Sequence, residues 1–202
     1  MQTTAAITLH SYWTERRGRR PAPLRSEIEP AHLATILPDV FILESDRRGP
    51  RIRLAGTRFC AQFGRELKGC AFAELFTMAG RERVLRAADR VLKDQMPVVL
   101  TAHAEGADRD TTVVEMVLLP LASRERTVDR ILGAFAPFAN QRMPLAAFRH
   151  MMLGSLAVVR DHPVADDNAI HAPASLTIAR PAEAGGTMQR VLHLRIFDGG
   201  KR

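Results

Sequence analysis

The sequence predicts an α+β domain, a five-stranded antiparallel sheet with helices packed on one face and an N-terminal helix on the other. Three observations carry that expectation. Residues 40 to 76 run two short apolar strands, VFILES and RIRLAG, into a segment of short helical turns, TRFCAQFGRELKGCAFAELF. Val84, Leu85, Ala88, Val91 and Leu92 then repeat at helical spacing. Three more strand patterns follow, PVVLTAHAE, TTVVEMVLLPLA and RILGAFAPF.

Taken in order, residues 5 to 16 put Ala6, Leu9 and Trp13 on one stripe with Ala5 and Tyr12 beside it, the mark of an amphipathic helix. The basic connector RRGRRPAPLR stops it with glycine and proline. Pro30 suits the first turn of a short helix, AHLATIL, closed by Pro38. VFILES and RIRLAG form a hairpin around Asp46, Gly49 and Pro50, with Ile52 and Leu54 on one face and Arg51 and Arg53 on the other. From Thr57 to Phe76 the apolar residues come in groups broken by Gly64 and Gly69, which fits short turns better than one rod. Thr77 can cap the long helix that follows.

The loops GADRD and SRERTVD suit antiparallel neighbours, and tight closure of the first puts Val98, Leu100 and Ala102 on the same face as Val114, Met116 and Leu118. That face is the expected core. The opposite face carries Thr101, His103, Glu105 and Glu115, but also Val113, Val117, Leu119 and Leu121, too much apolar surface to leave in water. The helix carrying Trp13 is the available cover, from the same chain or swapped from a second one. Beyond Phe138, PLAAFRHMMLGSLAVV reads as one more helix, the Pro- and Asp-rich stretch after it as an extended C-terminal arm, and QRVLHLRIF as a possible last strand. The expected divisions are 1–25 for helix and connector, 26–140 for the α+β domain and 141–202 for the C-terminal part.

With 202 residues, 46% of them apolar, the chain can bury a core. It has no run of 18 apolar residues, and its start, MQTTAAITLHSYW, has neither a basic leader nor an apolar block, so a cytoplasmic location is expected. Two cysteines, Cys60 and Cys70, are too few for a disulfide framework or a structural zinc site. The net charge of +7 invites an anionic partner, yet arginine supplies 26 of the 29 basic residues and is spread along the chain. It is denser at Arg16, Arg17, Arg19, Arg20 and Arg25 and again at Arg47, Arg48, Arg51 and Arg53. An arginine-rich anion binder is therefore an alternative reading, and nucleic acid is not the expected partner.

Gly64 and Gly69 have the spacing of a phosphate loop, but Cys70 and Ala71 stand where lysine and a hydroxyl residue are needed. No nucleophile, base and orienting group assemble from the sequence, so no catalytic residue and no enzyme is expected. The seven histidines are scattered, which gives no metal-ligand set. His103 and Glu115 fall one diagonal apart on the outer face, either as an ion pair or as two unconnected polar residues. Phe59, Phe63, Phe72, Leu85, Leu100 and Met116 are the candidates for a ligand pocket, set against plain core packing. Leu9, Trp13, Val117 and Leu119 are the candidates for a homodimer interface.

Several motifs in order resemble one family: Trp13 with Arg17, PLRSEIEP (23–30), ILPDVFILE (36–44), RLAGT (53–57), FGRELKG (63–69), EMVLLPL (115–121) and ILG (131–133). Over about residues 8 to 140 the chain resembles the single-domain alphaproteobacterial PAS proteins of the PAS_5 (DUF1457) family. The resemblance implies a PAS fold and a sensory or regulatory module that binds a small ligand or a partner protein and signals through association. An adaptor acting only by dimerisation is the variant without ligand. Flavin-type light sensors carry N-C-R-F-L-Q, and TRFCAQ around Cys60 departs from that order. Haem-binding PAS sensors commonly offer a histidine on the long helix, and residues 78 to 94 have none. The cofactor therefore stays unknown, with neither flavin nor haem implied.

Overall fold

Alternating apolar residues pair into one antiparallel sheet, whose strands are β1 (Val40–Asp46), β2 (Gly49–Ala55), β3 (Val98–Gly106), β4 (Thr111–Arg124), β5 (Thr127–Pro137) and β6 (Phe148–Val158). Their order across the sheet is β2-β1-β5-β4-β3-β6. The computed structural model describes residues 1–46, 49–106, 110–124, 127–139 and 147–159. The helices are α1 (Thr4–Arg17), α2 (Thr57–Gln62) and α3 (Met78–Asp89).

The register of β3 on β4 is the expected one: Val98 faces Leu118, Leu100 faces Met116 and Ala102 faces Val114, all buried. On this inner face α2, a tight turn at Phe72–Leu75 and α3 close the core, with Val84, Ala87 and Ala88 of α3 buried. A wide π-type turn, Arg90–Asp94, extends α3 and buries Val91. Thr77 does precede α3, but its carbonyl accepts the Gly80 N–H and its side chain makes no capping bond. On the outer face, α1 lies over β4 and β5 and buries the stripe Ala5, Ala6, Leu9, Tyr12 and Trp13.

Four expectations need correction. AHLATIL is two three-residue-per-turn segments, Pro30–Leu33 and Leu37–Asp39, with Pro38 inside the second rather than ending a helix. Leu54 does not share a face with Ile52. A bulge pairs Ile42 with Leu54 but Leu43 with Ile52, so Arg53 is the extra residue and Leu54 turns outward.

The helix expected from PLAAFRHMMLGSLAVV is instead strand β6, which makes six strands rather than five. Two irregularities against β3 explain the misreading: Gly106 pairs with Phe148 but Glu105 with His150, and Ala102 pairs with Leu153 but Leu100 with Leu156. They space the core-packed residues as 148, 151, 153, 156 and 158, which imitates helical periodicity. The possible last strand, QRVLHLRIF, and the arm before it lie outside the described residues.

Gly133 of β5 faces Phe41 of β1 and Leu118 of β4, and the Phe41 ring lies on it. A Cβ there would sit 2.3 Å from Phe41 Cζ, and that ring is already packed on Phe59 and Phe72 with centroids 5.1 and 5.7 Å away. Gly133→Ala is therefore expected to lower stability by about 1–3 kcal/mol through overpacking. In chemical denaturation the pair Gly133→Ala with Phe41→Leu should lose clearly less than the sum of the singles, because the smaller side chain relieves the clash. Strict additivity would show that the two residues do not constrain each other.

Candidate functional site

Glu115 is a carboxylate set in an apolar strand, between Val114 and Met116, and its side chain is on the outer face. Leaving it there unpartnered would be costly, yet it is only 2% exposed. The start of α1 resolves the cost. The Gln2 N–H donates to both carboxylate oxygens at 3.0 Å, and the Thr3 N–H and Thr3 Oγ1 each donate to Oε2 at 2.8 Å. Thr3 is also the cap of α1, its Oγ1 accepting the Ala6 N–H at 3.3 Å. A negative charge thus meets main-chain donors at the positive end of a 14-residue helix, the arrangement that favours both.

The other end of α1 is held by its indole. Trp13 Nε1 donates to the Pro120 carbonyl at 2.7 Å, and the side chain is 1% exposed. Proline inside a strand removes a donor from the ladder, and here the place tolerates it. The pairing of β4 with β3 runs out at Leu118, so from Leu119 onward one edge of β4 is free of β3. Pro120 presents a carbonyl there without a main-chain N–H to satisfy, and two residues on, the Ala122 N–H donates to Pro23 of the connector at 3.0 Å. Arg17 stacks over Trp13 at 4.8 Å and Arg16 over Tyr12 at 5.1 Å, which shields the aromatic end of the helix. Tyr12 Oη donates to the Glu27 carbonyl and accepts the Glu29 N–H, tying helix to connector.

Beside the first turn of α1 opens a cleft of about 370 Å³, lined in part by Gln2, Thr3, Thr35, Asp39, Arg58 and Pro137. Asp39 is buried and paired with Arg58. Burial pushes the Asp39 carboxyl above the usual carboxylate range, and the Arg58 charge and hydrogen bond oppose that rise.

The pocket candidates divide. Phe59, Phe63, Phe72, Leu100 and Met116 all join the inner core cluster, while Leu85 is half-buried outside it, against Gly49 of β2. The rings contact one another and other phenylalanines: Phe59 lies 4.9 Å from Phe135 and 5.8 Å from Phe63, and Phe63 lies 5.8 Å from Phe148. The interface candidates Leu9, Trp13, Val117 and Leu119 are brought together, but within one chain, where all four are buried. In the single chain, then, α1 occupies the apolar face on which the homodimer expectation rests.

His103 and Glu115 do stand one diagonal apart, since His103 faces Val113 and Thr101 faces Glu115. His103 is exposed, however, and Glu115 accepts its hydrogen bonds from the helix start instead. Sequence reasoning found the carboxylate and missed its partner; the signal was a Thr cap at the head of the helix assigned to cover that same face. Cys60 and Cys70 are free thiols, and burial raises Cys60 away from thiolate chemistry. No group of three or more His, Cys, Asp or Glu able to hold a metal occurs among the described residues. None of their helices is long and apolar enough to cross a membrane.

A sheet with helices and turns on its inner face and a capped N-terminal helix on its outer face defines the class of a PAS-type domain. A family profile described as PAS_5, PAS domain, matches residues 1–136, and the chain belongs to that family. The match includes α1. PAS domains are in general sensory and regulatory modules rather than catalysts.

Among solved structures, a Rhodobacter sphaeroides LOV protein is similar at 13% identity and TM-score 0.43, over 56% of this chain and 70% of that one. A light-oxygen-voltage domain studied with a flavin analogue is similar at 15% identity and TM-score 0.43, over 55% and 84%. The PAS domain of an HTR-like protein from Haloarcula marismortui is similar at 22% identity and TM-score 0.41, over 54% and 91%. No curated protein matches the chain.

The Asp39 pair yields a pH dependence with a definite sign. A carboxyl whose pKa is raised in the folded state binds its proton more tightly there, so its contribution to stability is complete below the ordinary carboxylate range and is lost as pH rises through the raised value. Arg58→Ala removes the opposing charge and raises the carboxyl further. Urea unfolding should show the variant close to the parent near about pH 3 and increasingly less stable toward neutrality. A deficit that stays constant with pH would assign Arg58 to packing alone.

Proposed function

We propose that this chain is a regulatory module that works through protein association, with α1 as the element that covers or uncovers the outer face of its sheet. The observation that supports it is the anchoring of α1 by a buried carboxylate at one end and an indole at the other. A 14-residue helix is marginal in isolation, so its order depends on docking. Undocked, it would bare Val117, Leu119, Leu121 and Leu132, a continuous apolar strip that requires a partner. A second copy of the chain offers the matching surface, since Leu9 and Trp13 of one copy fit the strip of the other as they fit their own. The contacting phenylalanines of the inner face favour association ahead of a small ligand, because those side chains occupy the space between sheet and helices themselves.

Trp13 is the single tryptophan, so its emission reports on the helix alone. Glu115→Ala should shift that emission to the red, speed amide exchange in residues 4–17 while the sheet stays protected, and move the mass by light scattering from one chain toward two. A loss of about 1–3 kcal/mol is expected from the unmet donors. If the variant unfolds as a whole, Glu115→Gln keeps one acceptor oxygen for the Thr3 donors while removing the charge and turning the second oxygen, which accepts only from the Gln2 N–H, into an NH2 donor, and the same readouts apply. Unchanged emission and mass with lowered stability would make α1 a fixed part of the fold and end this reading.

A further inference from the structure

The arginines that the helix reading leaves unused converge at one place. Arg25 comes from the turn after the connector, Ile42 from β1, Arg53 and Leu54 from the bulge in β2, Lys68 from the loop before Gly69, and Arg130 from β5. Together they line a cleft of about 400 Å³. The bulge is what builds it: Arg53 is the extra residue, and Leu54, 41% exposed, is turned to the outer face beside Ile42. The cleft has an apolar floor and a cationic rim.

Four cations line the cleft, and none of its described lining residues is a carboxylate. Glu44 is shared, accepting from Arg53 at 3.0 Å and from Arg130 at 3.2 Å. Glu66 lies by Lys68, its carboxyl held below the usual range chiefly by the Lys68 main-chain N–H and also by the Lys68 charge. Arg25 makes no ion pair with a described residue. Arg130 Nε is buried without a partner among the described residues, so the contact with Glu44 does not exhaust that guanidinium. The excess positive charge is self-repelling, and an anion in the cleft would relieve it.

We propose that this cleft binds a phosphate-bearing small molecule with a flat or aliphatic body, the phosphate among Arg25, Arg53, Lys68 and Arg130 and the body on Ile42 and Leu54. Guanidinium forks match the oxygens of a phosphate, and several of them suit a dianion better than a single carboxylate. The volume lies within the range of small-ligand sites. A nucleic acid would need cations set out in a row along successive phosphates, whereas these four surround one cavity.

The test is an amide NMR titration of the full chain with phenyl phosphate, inorganic phosphate and phenol. Phenyl phosphate should saturably move the amides of Ile42, Leu54, Lys68 and Arg130, inorganic phosphate should bind about three- to tenfold more weakly, and phenol should not bind. Arg25→Ala and Lys68→Ala, chosen because neither residue belongs to the buried core, should each weaken phenyl phosphate about three- to tenfold with the spectrum otherwise intact. Leu54→Ser should bring phenyl phosphate down to the affinity of inorganic phosphate. Equal affinity in parent and variants, shifts scattered over surface arginines, or a response to a single-stranded DNA oligonucleotide alone would overturn the proposal.

Discussion

A sheet that carries buried side chains on both faces has to be covered twice, and most of what is particular to this fold follows from that requirement. The inner face is closed by α2, α3 and the turns between them, all encoded between β2 and β3. The outer face has no helix nearby in sequence. Val117, Leu119, Leu121, Leu132 and Ala134 are buried there only because α1, more than a hundred residues before them, packs across β4 and β5. Each Val or Leu among them is worth roughly 1.5–3 kcal/mol when withdrawn from water, so the helix and the strip stabilise each other by far more than the helix gains from its own hydrogen bonds.

Apolar burial is non-directional, and by itself it would let α1 slide. The polar contacts set the position. Glu115 fixes the first turn because its oxygens must meet the donors of Gln2 and Thr3, and Trp13 fixes the third turn because its Nε1–H finds the Pro120 carbonyl. Both acceptors lie on β4, five residues apart, so a single strand reads the register of the helix. A buried carboxylate without those donors would be a net cost, and this is why removal of the helix start and removal of the carboxylate are not equivalent perturbations.

The parts of this arrangement that were legible in the sequence are those governed by a regular period. The stripe Ala6, Leu9 and Trp13 and the alternation of Val98, Leu100, Val114 and Met116 place themselves, since 3.6 and 2.0 residue repeats survive into the structure unchanged. Where a bulge interrupts the period, legibility ends. Alternation predicts Leu54 inward, and it lies outward because Arg53 is extra; the spacing of β6 imitates a helix because two irregularities stretch it. Glu115 was legible as an anomaly but not as an anchor, since its partners are main-chain N–H groups that carry no signature in the side-chain pattern. The cationic cleft was visible only as local arginine density; its shape needs Arg25, Arg53, Lys68 and Arg130 from four separate segments.

Helix and cleft are also connected through the strand they share an edge with. After α1 ends at Gly18, with a left-handed φ of 54°, the connector returns to β4, where the Ala122 N–H donates to Pro23 and Leu24 bridges to Ala122. Arg25 follows directly, so its guanidinium is placed by the same stretch of β4 that supplies the Pro120 acceptor for Trp13. On the far side, Arg130 faces Leu121 across the β4–β5 pair. The cleft therefore takes two of its cations from positions registered on residues 121 and 122, immediately beyond the point where β3 ceases to pair and β4 has a free edge. That free edge is what allows one short run of β4 to hold a helix, a connector and a cationic rim together.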